Sequence, residues 1–275
     1  MGASLDFTGW LAEPFMIRAL FALLMLAPAC AVLGLHVVSF RMAFFSDAIS
    51  HSVFTGIALG LLFSIDMRIS TILFGLFLGI MLIQLGKRST LSRDSLIAVL
   101  LAIAMSLGIV LVSMRKGLVS QFQNALYGDI LSLTSTDLFL TGFVLIGTIV
   151  FEIVAFNRLL VMSTSEALAK AHGIRSQLWE TLLALWVGVV TLVGLRLVGL
   201  LMVTSLMVVP AAAARNLSNG ARGAILSAVV VALVASVTGL AASWMLNSAT
   251  GATVILAAAI LFLATLPLHR AVRRS

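Results

Sequence analysis

From Ser95 to Ser113 the chain runs without a charged side chain, and so it does from Ala224 to Leu246 and from Ala252 to Leu268. These uncharged runs constrain the fold more than anything else in the sequence. A helix of roughly 20 apolar residues crosses the ~30 Å hydrocarbon layer of a bilayer. Within that layer every backbone amide must find its partner inside the protein, so only helices and closed barrels can span it. A barrel needs alternating polarity over ~10-residue segments, and this sequence does not alternate. Composition agrees, with 61% of residues hydrophobic and 10% charged, against about 45–50% apolar and 25% charged in a soluble domain. The expected fold is all-α: a polytopic membrane helical bundle of about nine spans, forming a single transmembrane domain over residues 1–275.

Charges and Gly/Pro clusters divide the chain into nine apolar segments: Phe15–Val38, Val53–Leu62, Ile69–Gly86, Ser95–Ser113, Leu138–Phe156, Trp179–Gly194, Val198–Ala214, Ala224–Leu246 and Ala252–Leu268. The second is too short to cross alone and should continue a helix that begins near Asp47. The region Leu118–Leu133 is ambiguous; Tyr127-Gly128-Asp129 there reads as an irregular break near an interface, with Asp129 as a turn or cap. No basic region precedes the first run and no small-residue cleavage site is convincing, so that run reads as a retained span. Cys30 is the one cysteine, which excludes an intrachain disulfide and fits a small core residue.

The net charge of +7 is no nucleic-acid signature, because the basic residues sit in loops between apolar runs, where they set orientation. One set of alternate loops and the tail holds Arg41, Lys87, Arg88, Arg93, Arg158, Lys170, Arg175, Arg215, Arg222, Arg270, Arg273 and Arg274. The opposite set holds Arg18, Arg68, Arg115, Lys116 and Arg196. Lys and Arg accumulate on the cytoplasmic side, so the first set faces the cytoplasm. The N-terminus then lies outside and the C-terminus inside, which requires an odd number of spans.

One cytoplasmic loop, Asn157–Leu178, is long enough to hold structure. Its Ser163-Thr164-Ser165-Glu166 has capping-box spacing, with Ser163 placed to accept from the Glu166 amide. Ala167, Leu168, Ala169, Lys170 and Ala171 follow, and then Gly173, suited to the left-handed turn that ends a helix. A helix of two to three turns does not persist alone in water. Either it docks on a partner surface, such as a cleft in a cytoplasmic ATPase, or it lies on the membrane as an amphipathic connector.

Ionisable groups at membrane depth cost about 2.5–3.5 kcal/mol each on insertion scales and mark pathways. Asp47 and His51, in Ser46-Asp-Ala-Ile-Ser-His-Ser52, are four residues apart and share a helical face. Carboxylate oxygen and imidazole nitrogen suit a divalent metal such as zinc or manganese. The same two residues can instead hydrogen-bond each other and pin the helix start, or relay a proton. His36 reads as a satisfied or interfacial histidine, and His172 and His269 as solvated. Glu152 is read about a turn from the cytoplasmic end of its span, pairing with Arg158 or snorkelling. Thr204, Ser205 and Pro210 lie in one apolar segment, where proline bends the helix and broken helices line transporter pathways; hydroxyls in such helices also bond their own backbone. Met202 and Met207 read as packing.

Four stretches together resemble the zinc/manganese permease family of ATP-binding-cassette importers. They are Phe45-Ser-Asp-Ala-Ile-Ser-His-Ser-Val-Phe-Thr-Gly-Ile-Ala-Leu-Gly60, Tyr127-Gly-Asp-Ile-Leu131, the Glu166–Gly173 loop and Val198–Arg215. They occur in the family's order and the similarity covers nearly the whole chain. Ser46 stands where relatives often carry glycine, and Thr55 where many carry proline; neither departure removes a candidate ligand. The resemblance implies a fold related to the vitamin B12 and siderophore permeases. It also implies a second permease copy or paralogue, two ATP-binding-cassette ATPase subunits and an extracytoplasmic metal-binding protein. On it, Asp47 and His51 fall on the family's metal pathway and Glu166–Gly173 on its coupling element.

The chain carries no Gly-x-x-x-x-Gly-Lys-Ser/Thr pattern, so ATP hydrolysis is expected from a partner, with no cofactor resident on this chain and the zinc or manganese ion as cargo. A proton-coupled secondary transporter is the rival reading, although buried acids are few. An intramembrane hydrolase lacks a Gly-x-Ser-Gly element and an aspartate dyad. A non-transporting assembly subunit and an importer of metal chelates complete the alternatives.

Overall fold

The computed structural model describes residues 12–113 and 133–272, and every regular element among them is a helix. The order is α1 (Pro14–Ser39), α2 (Phe45–Phe63), α3 (Met67–Arg88), α4 (Arg93–Ser113), α5 (Ser135–Thr164), α6 (Glu166–Ala171), α7 (Ser176–Val198), α8 (Leu200–Leu217), α9 (Ala221–Leu246) and α10 (Thr250–Val272). Eight of these contain a stretch long and apolar enough to cross a membrane. Helix α2, at 19 residues, is the remaining long one. Its start at Phe45 bears out the expectation that the short Val53–Leu62 run continues a helix begun near Asp47. Tyr127–Leu131 and the break predicted there lie outside the described residues.

The helices pack as two groups. α1 sits with α8, α9 and α10, while α2 lies against α3 and α4; α7 touches both groups, and α5 flanks α1 and α7. Cys30 is fully buried and unpaired inside α1, as read from sequence. Helix α5 is the opposite case: Phe139 (81% exposed) and Ile153 (76%) stand on its outer face. Such a surface suits acyl chains, where apolar exposure carries no hydration cost.

Close backbone approach fixes α2 in its group. A Cβ at Gly56 would stand 2.5 Å from Thr71 Cα on α3, and one at Gly108 of α4 would stand 2.7 Å from Thr55 Oγ1 on α2. Small residues at such crossings are how membrane helices approach without a hydrophobic driving force between them. Thr55 also donates its hydroxyl to Ala104 O of α4.

Two helix borders differ from the sequence reading. Helix α5 continues to Thr164, well past the predicted Phe156, because Ser163 and Thr164 return their hydroxyls to Leu160 O and stay helical. Val198 closes α7 instead of opening α8. Gly199, at φ +88°, reverses the chain between them in a backbone conformation that a side chain would strain.

Contacts between distant loops support the predicted alternation of ends. Arg93 at the start of α4 meets Glu180 near the start of α7 at 3.0 Å, and Arg215 near the end of α8 meets Ser39 at the end of α1 at 2.9 Å. At the opposite end Arg18, early in α1, donates to Leu133 O.

Candidate functional site

A tight corner leads into α2. Met42 N–H bonds Val37 O and Arg41 N–H bonds Val38 O, the paired 6→1 and 5→2 bonds of a helix-ending Schellman motif. Arg41 takes the left-handed position, at φ +56°, that glycine usually fills. A non-glycine residue costs about 1–2 kcal/mol there. The corner brings Asp47 into the first turn of α2, where the unpaired amides of a helix start favour a carboxylate.

His51 follows one turn deeper. Its Nε2 lies 3.7 Å from Asp47 Oδ1, with the two side chains 20% and 31% exposed respectively. That separation is too long for a hydrogen bond, so the reading in which the two pin each other loses its support. It leaves room for an ion held at roughly 2.1 Å from each atom. His51 Nδ1 and the hydroxyls of Ser46 and Ser50 are buried without hydrogen-bond partners. Buried polar atoms are rarely left so, and here three fall within six residues of one helix. No group of three or more His, Cys, Asp or Glu side chains able to hold a metal occurs among the described residues. Among the described residues, Asp47 and His51 thus stand as a pair of possible ligands without a third His, Cys, Asp or Glu beside them.

The other predicted pore residues lie on α8. Thr204 donates its hydroxyl to Leu200 O and Leu201 O of its own helix, Ser205 is half-buried, and Pro210 is buried inside the continuous helix. Met202 and Met207 are buried in the core, as expected for packing residues.

The loop predicted to be cytoplasmic folds differently from its capping-box reading. Ser163 belongs to α5 and donates to Leu160 O; the residue that caps α6 is Ser165, whose Oγ accepts from Leu168 N–H at 3.3 Å. Only Glu166–Ala171 is helical, six residues instead of two to three turns. Gly173, at φ +68°, closes it as predicted, with Gly173 N–H bonded to Lys170 O and Ile174 N–H to Ala169 O. Ala169 is fully buried and anchors the turn, while Leu168 points out at 44% exposure. Glu166 meets Lys170 at 2.8 Å, and that hydrogen bond together with the lysine's charge holds its carboxyl below the usual carboxylate range.

Beside α6 lies an open groove of about 960 Å³, lined by Arg93, Glu166, Lys170, Ile174, Arg175 and Glu180 among others. Arg93 ties this lining to the rest of the bundle. Besides Glu180 it reaches Met42 Sδ at 3.9 Å and lies 6.0 Å from the Phe40 ring centre. One guanidinium thus touches both the base of α7, just beyond α6, and the corner that positions Asp47. Arg158 braces the other side of the loop, stacked over Trp179 at 4.5 Å.

Sequence reasoning missed two pairs. Glu152 does not meet Arg158, which bonds Val154 O; it meets His36 at 2.9 Å, with both side chains largely buried. Glu152 also lies in the interior of α5, not a turn from its end, because the helix is longer than predicted. The pair joins positions 116 residues apart, and no local signal announces it. The Arg93–Glu180 pair was equally invisible, although both residues fall at the same predicted membrane face. His172 is exposed, as expected.

An all-helical membrane bundle, with an acid–imidazole pair in the first turns of α2 and a short capped helix at its basic end, fits a transport permease. The chain belongs to the ABC 3 transport family, whose profile matches residues 12–269. It is 29% identical over 251 residues to the high-affinity zinc uptake system membrane protein ZnuB of Haemophilus influenzae, covering 91% of this chain and 96% of that one. It is 27% identical to the manganese import system permease protein ScaB of Streptococcus parasanguinis, covering 90% and 89%. Among solved structures, PsaBC from Streptococcus pneumoniae in complex with Fab superposes with a TM-score of 0.81 at 29% identity, over 96% of this chain and 97% of that one. An inward-facing putative metal-chelate type ABC transporter shares the fold at 17% identity and a TM-score of 0.70, over 91% and 85%.

Proposed function

We propose that the chain is the membrane permease of an ATP-driven importer that carries a bare divalent transition-metal ion, zinc or manganese, into a bacterial cell. The observation that carries this reading is the unsatisfied Asp47–His51 pair, an acid and an imidazole 3.7 Å apart on one helix. Two ligands bind such an ion weakly, which suits passage: a complete chelating shell would hold it. Relatives named for zinc and for manganese support the cargo class without choosing between the metals.

The basic end, with Arg93, Arg158, Lys170, Arg175 and Arg215, faces the cytoplasm by the positive-inside rule. The N-terminus then lies outside and the C-terminus inside. Separate ATPase subunits bind at the 960 Å³ groove and on α6, and ATP-driven closure reaches the spans through that helix. A metal-binding protein delivers the ion on the opposite side.

Reconstituted vesicles holding this permease, its ATPase and its delivery protein should accumulate zinc or manganese only with ATP. Failure to accumulate any divalent ion would overturn the proposal; accumulation driven by a proton gradient without ATP would favour a secondary transporter. For the docking element, Leu168→Asp places a charge on an exposed apolar contact without disturbing the core. It should weaken ATPase docking by about tenfold or more. Undiminished ATPase association and stimulation would remove α6 from the interface.

A further inference from the structure

At the basic end, α5 and α9 each pack on α1 and leave a cleft between them. An open cavity of about 270 Å³ fills it. Its walls are split by chemistry. Leu35, Phe156, Leu160 and Ile225 supply apolar lining, while His36, Ser39 and Arg215 are among its polar groups. The cleft lies apart from α2 and from the groove at α6, so neither the cargo pair nor the docking groove accounts for it.

Three observations identify what fits. Arg215 is exposed and donates to Ser39 Oγ, and it has no carboxylate partner among the described residues. Glu152, the nearby acid, does not line the cavity; His36 lines it and holds the carboxylate. The cavity is therefore cationic despite the acid. Its apolar lining is also partly open, with Leu160 at 38% exposure, and Leu226, next to the lining residue Ile225, is 67% exposed. A cation at the interface above an apolar slot open to lipid matches an anionic headgroup with an attached hydrocarbon chain. Basic pockets between spans on the cytoplasmic side bind such lipids, and one basic residue near the surface is worth about 1 kcal/mol. The first turn of α9, starting after Gly220, lies along the same cavity, and the positive end of the helix favours an anion there.

We infer that the cleft between α5 and α9 is a binding site for one anionic phospholipid, with its phosphate at Arg215 and an acyl chain along Phe156, Leu160 and Ile225. The site goes beyond the transport reading and depends on it only for the leaflet. Lipid there wedges α5 against α9 over α1 and stabilises the basic end of the bundle.

The test is native mass spectrometry of the full permease–ATPase complex exchanged with phosphatidylglycerol, phosphatidylcholine or inorganic phosphate. Phosphatidylglycerol should be retained in preference to phosphatidylcholine, and Arg215→Gln should reduce that preference about fivefold. Arg158→Gln, a change on the same face outside the cavity, should leave it intact. Ala224→Trp, which fills the cleft and keeps the arginine, should displace the lipid and decides the matter should the arginine variant fail to assemble. Equal retention of both lipids, unchanged preference in Arg215→Gln with retention in Ala224→Trp, or displacement by inorganic phosphate would each overturn the assignment.

Discussion

Two acid–imidazole pairs occur among the described residues, and they are built in opposite ways. His36 and Glu152 come from different helices, meet at 2.9 Å and are largely buried. Asp47 and His51 come from one helix, stand 3.7 Å apart and remain partly exposed, with His51 Nδ1 unpartnered. The first pair satisfies itself and fastens α1 to α5. The second leaves its bonding capacity unused. Identical chemistry thus serves as a fastener where geometry closes it and as a candidate ligand set where geometry holds it open.

The largest effect should come from breaking the closed pair. His36→Leu leaves a buried carboxylate unpartnered, a loss on the order of 3 kcal/mol, readable as a lower thermal unfolding temperature of the purified permease. The double variant His36→Leu/Glu152→Leu should recover most of it. Should His36→Leu abolish metal uptake at unchanged stability, the closed pair would belong to the path and the contrast would fail.

Opening the comparison from the other side, Asp47→Asn and His51→Gln should each lower uptake roughly 10–100-fold, the range seen when a metal site's supporting groups are removed, while unfolding temperature stays near that of the parent. Normal uptake would remove the open pair from the pathway.

Glu166 and Lys170 sharpen the point at the smallest scale. They share the i,i+4 spacing of Asp47 and His51, yet meet at 2.8 Å in solvent, where such pairs are worth about 0.3–0.5 kcal/mol. Because the Glu166 carboxyl is held below its usual range, its contribution is present above the ordinary carboxylate pKa. It fades as pH falls through the lowered value. The protection factors of amides in the α6 turn, taken relative to the intrinsic exchange rate at each pH, should therefore fall on acidification in the parent and change less in Lys170→Ala; equal pH dependence would mean the pair contributes nothing.

Spacing along the chain was enough to find helices and insufficient to find pairs. Apolar runs announced the long helices because lipid demands uncharged length, and α2 could be extended back to Asp47 because a four-residue polar spacing continues a helical face. Ser163 misled because a hydroxyl bonding back to Leu160 O is as compatible with a continuing helix as with a cap. His36 with Glu152 and Arg93 with Glu180 stayed hidden, since each depends on how separate helices lie against one another. The loose geometry at Asp47 was likewise illegible: four residues apart permits both a closed and an open pair.

The glycine crossings on either side of α2 carry a mechanical consequence. Where its backbone meets α3 at Gly56 and α4 at Gly108, sliding would drive main chain into main chain, so α2 has no play of its own. On the proposed transport reading, a swing between outside and inside would carry these three helices together like a single door leaf.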